Sequence, residues 1–223
     1  MTGALLIQAL AKVSAGIVLI GLLLFAPAGT LDYPPGWRLM LLLFIPMILA
    51  GFVMMAKSPD LLRKRLNMKE KLGEQKQVIA LSSVMFIAGF IAAGLSFRFH
   101  VLILPEWLSL AACAAFLLAY ALYALVLREN AFLSRTIEVQ ENQYVVDTGL
   151  YAIVRHPMYS ATVLLFLCMP LILRSGAGFL IFLAYPAIIV RRIRSEEAFL
   201  CENLPGYTEY TKKVRWRLIP FIW

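Results

Sequence analysis

Tyr151 to Tyr159, reading Tyr-Ala-Ile-Val-Arg-His-Pro-Met-Tyr, stand between two long apolar segments of the chain. The residue before a proline avoids the helical region, whereas proline suits the first position of a helix. The pattern therefore predicts an extended His156 and a helix that begins at Pro157. Because the first backbone N–H groups of a helix have no partner within it, this helix start could bind a carboxylate or a phosphate, beside Arg155 and His156. The alternative is that these two side chains only anchor the helix at a membrane surface.

Composition predicts the class of protein. Hydrophobic residues make up 61% of the 223 residues and charged residues 15%, and the mean hydropathy is +0.80. One soluble core could not bury that much apolar surface, so the chain is predicted to be an integral, multi-pass membrane protein. Its apolar residues form six runs: Leu5 to Phe25, Leu39 to Ala56, Val78 to Phe97, Leu102 to Val126, Tyr159 to Leu173, and Gly178 to Val190.

The lengths of these runs predict an all-α fold with about six transmembrane helices. The first four runs are long enough to cross a hydrocarbon layer of about 30 Å, which takes roughly 20 helical residues. The last two runs are shorter, and Arg174 to Gly178 between them is rich in turn-forming residues. They are therefore predicted to form a short helical hairpin, which a helical C-terminal tail follows.

The distribution of lysine and arginine predicts the sidedness. Lys57 to Lys76 contain seven basic residues, Leu127 to Arg155 three, and Arg191 to Arg217 seven. Six crossings put these segments on one face, and the positive-inside tendency makes that face cytoplasmic, together with both termini and the site. This asymmetry and attraction to membrane lipids account for the net charge of +8 without nucleic acid. The three cysteines lack paired spacing or a Cys/His cluster, so neither a disulfide framework nor a metal site is predicted.

A second polar cluster, Arg192, Glu196 and Glu197, follows the last apolar run. If the helix continues, Arg192 and Glu196 share a face, whereas the adjacent Glu196 and Glu197 point in different directions. One carboxylate is therefore expected to face inward. The alternative is an ordinary surface ion pair, which contributes little to stability. The polar tail from Gly206 to Pro220 contains several tyrosines and arginines and could cap a cofactor.

Five motifs thus follow one another along the C-terminal part of the chain: Thr148 to Tyr151, Arg155 to Tyr159, Arg192 with Glu196 and Glu197, Gly206 to Tyr210, and Arg217 to Pro220. In this order and spacing they resemble the isoprenylcysteine carboxyl methyltransferase family and its phospholipid methyltransferase relatives. The resemblance implies a membrane enzyme that transfers a methyl group from S-adenosylmethionine to a lipidic acceptor, releasing S-adenosylhomocysteine. It favours an isoprenylcysteine-type carboxylate as acceptor. It also implies that residues 1–127 are scaffold helices and residues 128–223 the catalytic unit, within one membrane domain.

The resemblance also implies individual site residues. Arg192 falls where the family has a substrate-contacting arginine, and Arg192 and Glu196 are the implied catalytic residues. Gln143 stands where many members have histidine, and its amide cannot become charged near neutral pH. A further glutamine of the family corresponds by count to Thr136, or with a shift to Gln140. The implied cofactor-binding residues are Gln143, Tyr144, Val145, Val146, Tyr151, His156, Pro157, Met158, Tyr159 and Glu196.

The chemistry of methyl transfer fits these residue types. Displacement at a sulfonium needs alignment and a shielded pocket more than a strong acid. A carboxylate acceptor is already a nucleophile, and Arg192 could hold it, whereas an amine or thiol would need His156, Glu196 or Glu197 as a base. We expect His156 and the amides after Pro157 to hold the methionine carboxylate, and Glu196 its ammonium group or the ribose hydroxyls. The expected pocket walls are Tyr151 and Tyr159.

Two other functional classes remain open at this point. Sterol reductases carry a similar Arg-His-Pro-x-Tyr and tail pattern, so the pocket could instead hold NADPH. A non-catalytic membrane scaffold is the second alternative, which the presence of Arg192, Glu196 and His156 disfavours. The sequence leaves open whether the acceptor is a carboxylate, a phospholipid amine or a thiol. It also leaves the oligomeric state open.

Overall fold

The helices of the chain are seen in a computed structural model, which describes residues 2–66, 73–133 and 139–223. Within these residues, nine α-helices and one 3-10 helix are formed. They are α1 (Thr2–Ala28), α2 (Pro34–Lys57), α3 (Pro59–Leu66), α4 (Gly73–Phe99), α5 (Glu106–Glu129), the 3-10 helix (Gly149–Ala152), α6 (Pro157–Ile172), α7 (Gly176–Phe182), α8 (Ala184–Asn203) and α9 (Tyr207–Lys213). The predicted all-α membrane class is confirmed.

Five of the described segments are long and apolar enough to cross a membrane. They are the four helices α1, α2, α4 and α5, and the unit of α7 and α8 together, which spans Gly176–Asn203. The remaining apolar helix, α6, has 16 residues and reaches about 24 Å. The first four apolar runs therefore form the long helices predicted for them. Of the last two runs, which were both predicted to be short, only the one in α6 is short, because the last run lies within the 28-residue unit of α7 and α8.

The connection between α6 and α7 differs from the sequence prediction. The predicted turn extended from Arg174 to Gly178, but Gly176 and Gly178 already belong to α7. The Ser175 hydroxyl accepts a hydrogen bond of 2.9 Å from the backbone N–H of Gly178 and so caps the helix start. Serine is among the best residues at a helix N-terminus, and this cap outweighs the two glycines as turn signals.

Close packing joins the transmembrane helices into one apolar core. A Cβ atom added at Gly94 in α4 would lie 2.6 Å from the backbone oxygen of Leu24 in α1, so only glycine permits this approach. The ring of Phe182 in α7 lies against Gly89 in the same way. Phe116 in α5 and Ile193 in α8 are fully buried in the same core. The core therefore draws on both the N-terminal and the C-terminal helices.

Three connections meet at one end of the helices, which we call the turn end: residues 29–33, 100–105 and 173–175. The Tyr33 hydroxyl donates to the backbone oxygen of Leu173 at 3.1 Å, and the backbone N–H of Leu104 donates to Arg174 at 2.8 Å. The other end, the tail end, contains α3, residues 139–156 and residues 204–223. There Arg65 of α3 approaches the sulfur of Met158 at 3.4 Å.

Candidate active site

The loop before α6 and the C-terminal tail are joined by backbone hydrogen bonds at the tail end. The backbone N–H groups of Arg155 and His156 donate to the carbonyl oxygens of Trp216 and Arg217 at 2.8 and 2.9 Å. His156 lies outside the helical region, with φ −127° and ψ 60°, and Pro157 begins α6. The helix start predicted at Pro157 is therefore confirmed, whereas the ψ angle of His156 falls short of the extended region predicted for it. Two stretches that are distant in sequence become one surface.

The carboxylate of Glu197 holds this junction together. It accepts hydrogen bonds from Arg155 Nε at 2.6 Å and from Arg217 Nε at 2.7 Å, and it lies 3.2 Å from His156 Nε2. Arg155 also donates to the carbonyl oxygen of Val214 at 2.8 Å. Glu197 is thus the inward-facing carboxylate of the pair. Arg155 and His156 contact this carboxylate, so they do more than anchor a helix at a membrane surface.

The neighbouring carboxylate, Glu196, is connected to Arg192 through a tyrosine. The Tyr159 hydroxyl donates to Glu196 Oε2 at 2.5 Å and accepts from Arg192 Nε at 2.7 Å. The His156 ring stacks on the Tyr159 ring, with 5.7 Å between the ring centres. The arrangement is more specific than the surface pair considered from the sequence, because three side chains from two helices fix one another.

A cavity at the tail end is bordered by Arg155, His156, Tyr159 and Glu196. All the sequence-predicted cofactor residues line it except Pro157, the buried first residue of α6. Arg192 is not part of the lining, but it contacts Tyr159, which is. The lining residues are Asn130, Phe132, Leu133, Gln143, Tyr144, Val145, Val146, Tyr151, Arg155, His156, Met158, Tyr159, Glu196, Leu200, Leu204, Tyr207 and Tyr210.

Two tyrosines of α9 behave differently in this cavity. The Tyr210 hydroxyl donates to the carbonyl oxygen of Tyr151 at 2.7 Å. The Tyr207 hydroxyl is buried and has no hydrogen-bond partner among the described residues. Burial raises the pKa of Tyr207, and the nearby carboxylates of Glu196 and Glu197 raise it further, so the phenol keeps its proton. A buried polar group without a partner is costly, and a polar ligand in the cavity would satisfy it.

Residues 107–202, from the start of α5 to the end of α8, match the sequence profile described as the isoprenylcysteine carboxyl methyltransferase family. The matched stretch is less than half of the 223-residue chain, and it contains all the sequence-predicted site residues. No curated protein sequence matches the chain significantly.

A solved structure shares the fold of this chain. It is that of a eukaryotic intramembrane Ras methyltransferase, isoprenylcysteine carboxyl methyltransferase, at 20% sequence identity and a TM-score of 0.56. The similarity covers 96% of this chain and 77% of that one. It extends beyond the matched profile to the N-terminal helices, so the whole chain has the membrane fold of that protein.

The chain departs from the pattern of the similar family at Gln143. The Gln143 side-chain oxygen accepts a hydrogen bond of 2.8 Å from the backbone N–H of Gln140, and Gln140 Nε2 donates to the carbonyl oxygen of Phe132 at 2.6 Å. Gln143 therefore organises its own loop at the edge of the cavity. Thr136 lies outside the described residues.

The 3-10 helix that positions Tyr151 depends on Gly149. Gly149 has φ +56°, and a Cβ atom there would overlap the carboxylate of Glu129. Glu129 Oε2 accepts a hydrogen bond of 2.9 Å from the backbone N–H of Leu150. The end of α5 thereby fixes the segment that carries Tyr151 into the cavity.

Several lining residues were missed from the sequence. Leu200 follows Glu196 by four residues on α8, so helical periodicity could have identified it. Tyr207 lies in a tail that was expected to cap a cofactor, but its role as an unpaired hydroxyl depends on burial. The remaining missed residues carried no signal of their own: Asn130, Phe132, Leu133 and Leu204.

Proposed function

We propose that this protein is an S-adenosylmethionine-dependent membrane methyltransferase whose acceptor is a lipidic carboxylate of the isoprenylcysteine type. The observation that carries the proposal is that side chains from residues 143–159 and α8 line one cavity, partly polar and partly apolar, at the end of an apolar helical bundle. Arg192 lies beside this cavity, in contact with Tyr159. The description of the matching family supports carboxyl methyl transfer as the reaction.

The lining residues fit S-adenosylmethionine. The cofactor has an adenine, ribose hydroxyls and an amino-acid group, which need several hydrogen-bonding partners in a half-apolar pocket. Tyr207 offers an unused hydroxyl, and Glu196 offers a carboxylate for the ammonium group or the ribose. We assign the methionine carboxylate to His156 and to the backbone N–H of Met158 at the start of α6, because the N–H groups of Tyr159 and Ser160 already donate to the His156 carbonyl at 3.0 and 3.2 Å. Gln143, Tyr144, Val145, Val146, Tyr151, Met158 and Tyr159 would form the surrounding walls.

When bound, S-adenosylmethionine supplies an electrophilic methyl group on a sulfonium. A carboxylate acceptor is ionised at neutral pH and needs no base. Arg192 is assigned to orient it, as the family resemblance implies, and the hydrogen bond from Arg192 Nε to the Tyr159 hydroxyl fixes the guanidinium. The groups that could act as a base for an amine or a thiol are already engaged, Glu197 by Arg155, Arg217 and His156, and Glu196 by Tyr159. This engagement favours a carboxylate acceptor over the phospholipid amine or the thiol.

The same proposal covers sidedness and organisation. Residues 1–127 would serve as scaffold and lipid access, and residues 128–223 as the catalytic unit. The tail end carries the basic segments and would lie on the cytoplasmic face, with both termini. The cofactor would then enter from the cytosol and the acceptor from the surrounding membrane lipids.

Ligand-dependent stability of the purified full chain tests the cofactor. A ligand that binds the folded state raises the thermal midpoint. We expect S-adenosylhomocysteine to raise it and NADPH to leave it unchanged. A shift with NADPH and none with S-adenosylhomocysteine would indicate a reductase and contradict the methyltransferase. No shift with either ligand would favour a non-catalytic scaffold.

Transfer of a labelled methyl group then identifies the acceptor. S-farnesylcysteine should become labelled in a base-labile methyl ester, whereas its preformed methyl ester should not. Phosphatidylethanolamine and a small alkyl thiol complete the set. Labelling of either one, with S-farnesylcysteine unlabelled, would overturn the carboxylate assignment while keeping the methyltransferase.

A further inference from the structure

A second cavity lies at the turn end, on the side of the bundle opposite the candidate active site. Its volume is about 450 Å³. Its walls are largely apolar, with Phe97 of α4 and Leu173 after α6 among them. Its charged groups come from three different parts of the chain: Arg38, Glu106 and Arg174.

The charges around this cavity do not balance. The carboxylate of Glu106 lies 2.6 Å from Arg38 Nη2 and 3.1 Å from Arg174 Nη1. Two guanidinium groups therefore share one carboxylate, and His100 also borders the cavity. One positive charge is left over at the edge of an apolar space, where a bound anion would be stabilised.

Both guanidinium groups are held in place and still have N–H groups to offer. Arg38 Nη1 donates to the Ser109 hydroxyl at 2.8 Å, and Arg174 Nε donates to the carbonyl oxygen of Leu104 at 2.8 Å. An arginine has five N–H donors, and these contacts together with Glu106 use only part of each set. The two arginines therefore form a preorganised pair of donors.

The position of the cavity indicates which anion it meets. Trp37 and Trp107 are exposed near the first residues of α2 and α5, beside the cavity. Exposed tryptophans at helix ends are typical of the membrane–water interface. A cavity with a cationic rim and an apolar wall at this depth faces lipid head groups, whose phosphate can pair with arginine bidentately.

We propose that the turn-end cavity binds an anionic phospholipid, with its phosphate on Arg38 and Arg174 and its upper acyl segment against Phe97 and Leu173. The lipid would come from the leaflet opposite the candidate active site. The site is independent of the proposed methyl transfer and would exist if that assignment failed.

Native mass spectrometry of the full chain in detergent tests this site. Phosphatidylglycerol is titrated as the anionic probe, phosphatidylcholine as the zwitterionic probe, and inorganic phosphate as the free anion. We expect phosphatidylglycerol to bind more tightly than phosphatidylcholine, and inorganic phosphate to compete poorly. Equal binding of the two lipids would contradict the charge argument, and full displacement by millimolar inorganic phosphate would overturn the lipid as occupant.

Two variants with opposite expected effects locate the site. Arg38→Gln should weaken phosphatidylglycerol binding by about tenfold, as loss of a charge-assisted hydrogen bond does. Glu106→Gln should strengthen it by about threefold, because it removes the competing carboxylate. A misfolded variant could not bind more tightly, so this second result distinguishes a binding site from a structural cluster.

Arg98→Gln is the matched control, because Arg98 is exposed at the same end and does not line the cavity. It removes the same charge and should change phosphatidylglycerol affinity by less than about twofold, because the remaining effect is long-range and screened. Equal losses of phosphatidylglycerol affinity in Arg38→Gln and Arg98→Gln would show that general surface charge attracts the lipid, and would overturn the proposed site.

Discussion

The two ends of the bundle each place a glutamate among arginines, but the two clusters differ in burial. At the tail end, the Glu197 side chain is 9% exposed and joins Arg155, His156 and Arg217. At the turn end, the Glu106 side chain is 44% exposed and lies between two partly exposed arginines. When a buried carboxylate is removed, its partner arginines stay buried without a counterion. When an exposed carboxylate is removed, water can take its place beside the partner charges. The first cluster therefore holds segments together, and the second leaves charge available to a ligand.

The largest expected effect is the difference in the free energy of unfolding between the variants Glu197→Gln and Glu106→Gln. Breaking the buried cluster should lower the free energy of unfolding by about 3 kcal/mol, because Arg155 and Arg217 lose their counterion. Breaking the exposed cluster should lower it by less than about 1 kcal/mol. Unfolding in mixed micelles measures both.

Glu202→Gln is the control for the buried variant, because Glu202 is exposed on the same helix, α8. It should leave the free energy of unfolding unchanged. Similar losses in Glu197→Gln and Glu106→Gln would remove the contrast between the two ends.

Arg192→Gln tests the assigned substrate contact within the tail end. Turnover should fall about a hundredfold, because the acceptor loses its alignment, while the affinity for S-adenosylhomocysteine should stay nearly constant. Steady-state kinetics and ligand titration separate the two quantities. Arg194→Gln, on the exposed side of α8, is the control. An equal loss of turnover and cofactor affinity in Arg192→Gln would assign the arginine to the cofactor instead.

A pair of tyrosine variants distinguishes a structural hydroxyl from one that is available to a ligand. Tyr210→Phe should lower the free energy of unfolding without ligand by about 1 kcal/mol, because a hydrogen bond to Tyr151 is lost. Tyr207→Phe should leave that stability equal or slightly higher, since the lost hydroxyl had no partner among the described residues. It should, however, reduce the thermal shift produced by S-adenosylhomocysteine. An unchanged shift would exclude Tyr207 from the ligand site.

The smallest effect is expected for Gln143→His, which restores the residue of many family members. A neutral imidazole can still accept from the backbone N–H of Gln140, so cofactor affinity should change by less than about 1 kcal/mol. A titration with S-adenosylhomocysteine at neutral pH measures it. A larger gain would show that Gln143 weakens cofactor recognition in this protein.

The sequence predicted the parts of the fold that depend on local properties. Apolar run length identified α1, α2, α4 and α5, and the proline rule placed the start of α6 at Pro157. The division of the last span into α7 and α8 was not predicted, although the sequence carried a signal for it: Pro186 follows the break at Leu183 and has no N–H to donate to the carbonyl oxygen of Phe182. The short helix α3 was also missed, although Ser58 and Pro59 are a typical helix start.

The candidate site could be predicted only in part, for a different reason. The motifs identified Glu196 and Glu197 and indicated that one faces inward, but not which one. The answer depends on Arg217, which is distant in sequence and reaches Glu197 only after the tail folds back. The same holds for Tyr207, whose importance arises from burial without a partner. Such tertiary properties leave no periodic or spacing signal.

Photo-crosslinking with a photoreactive analogue of S-adenosylmethionine tests whether residues 143–159 and the segment from α8 to α9 enclose one nucleoside pocket, which is the claim on which the proposed function depends. Mass spectrometry of the labelled full chain should find crosslinks in both segments, and an excess of S-adenosylhomocysteine should suppress both together. Crosslinks confined to one segment, or falling on the helices of the turn end, would contradict the claim.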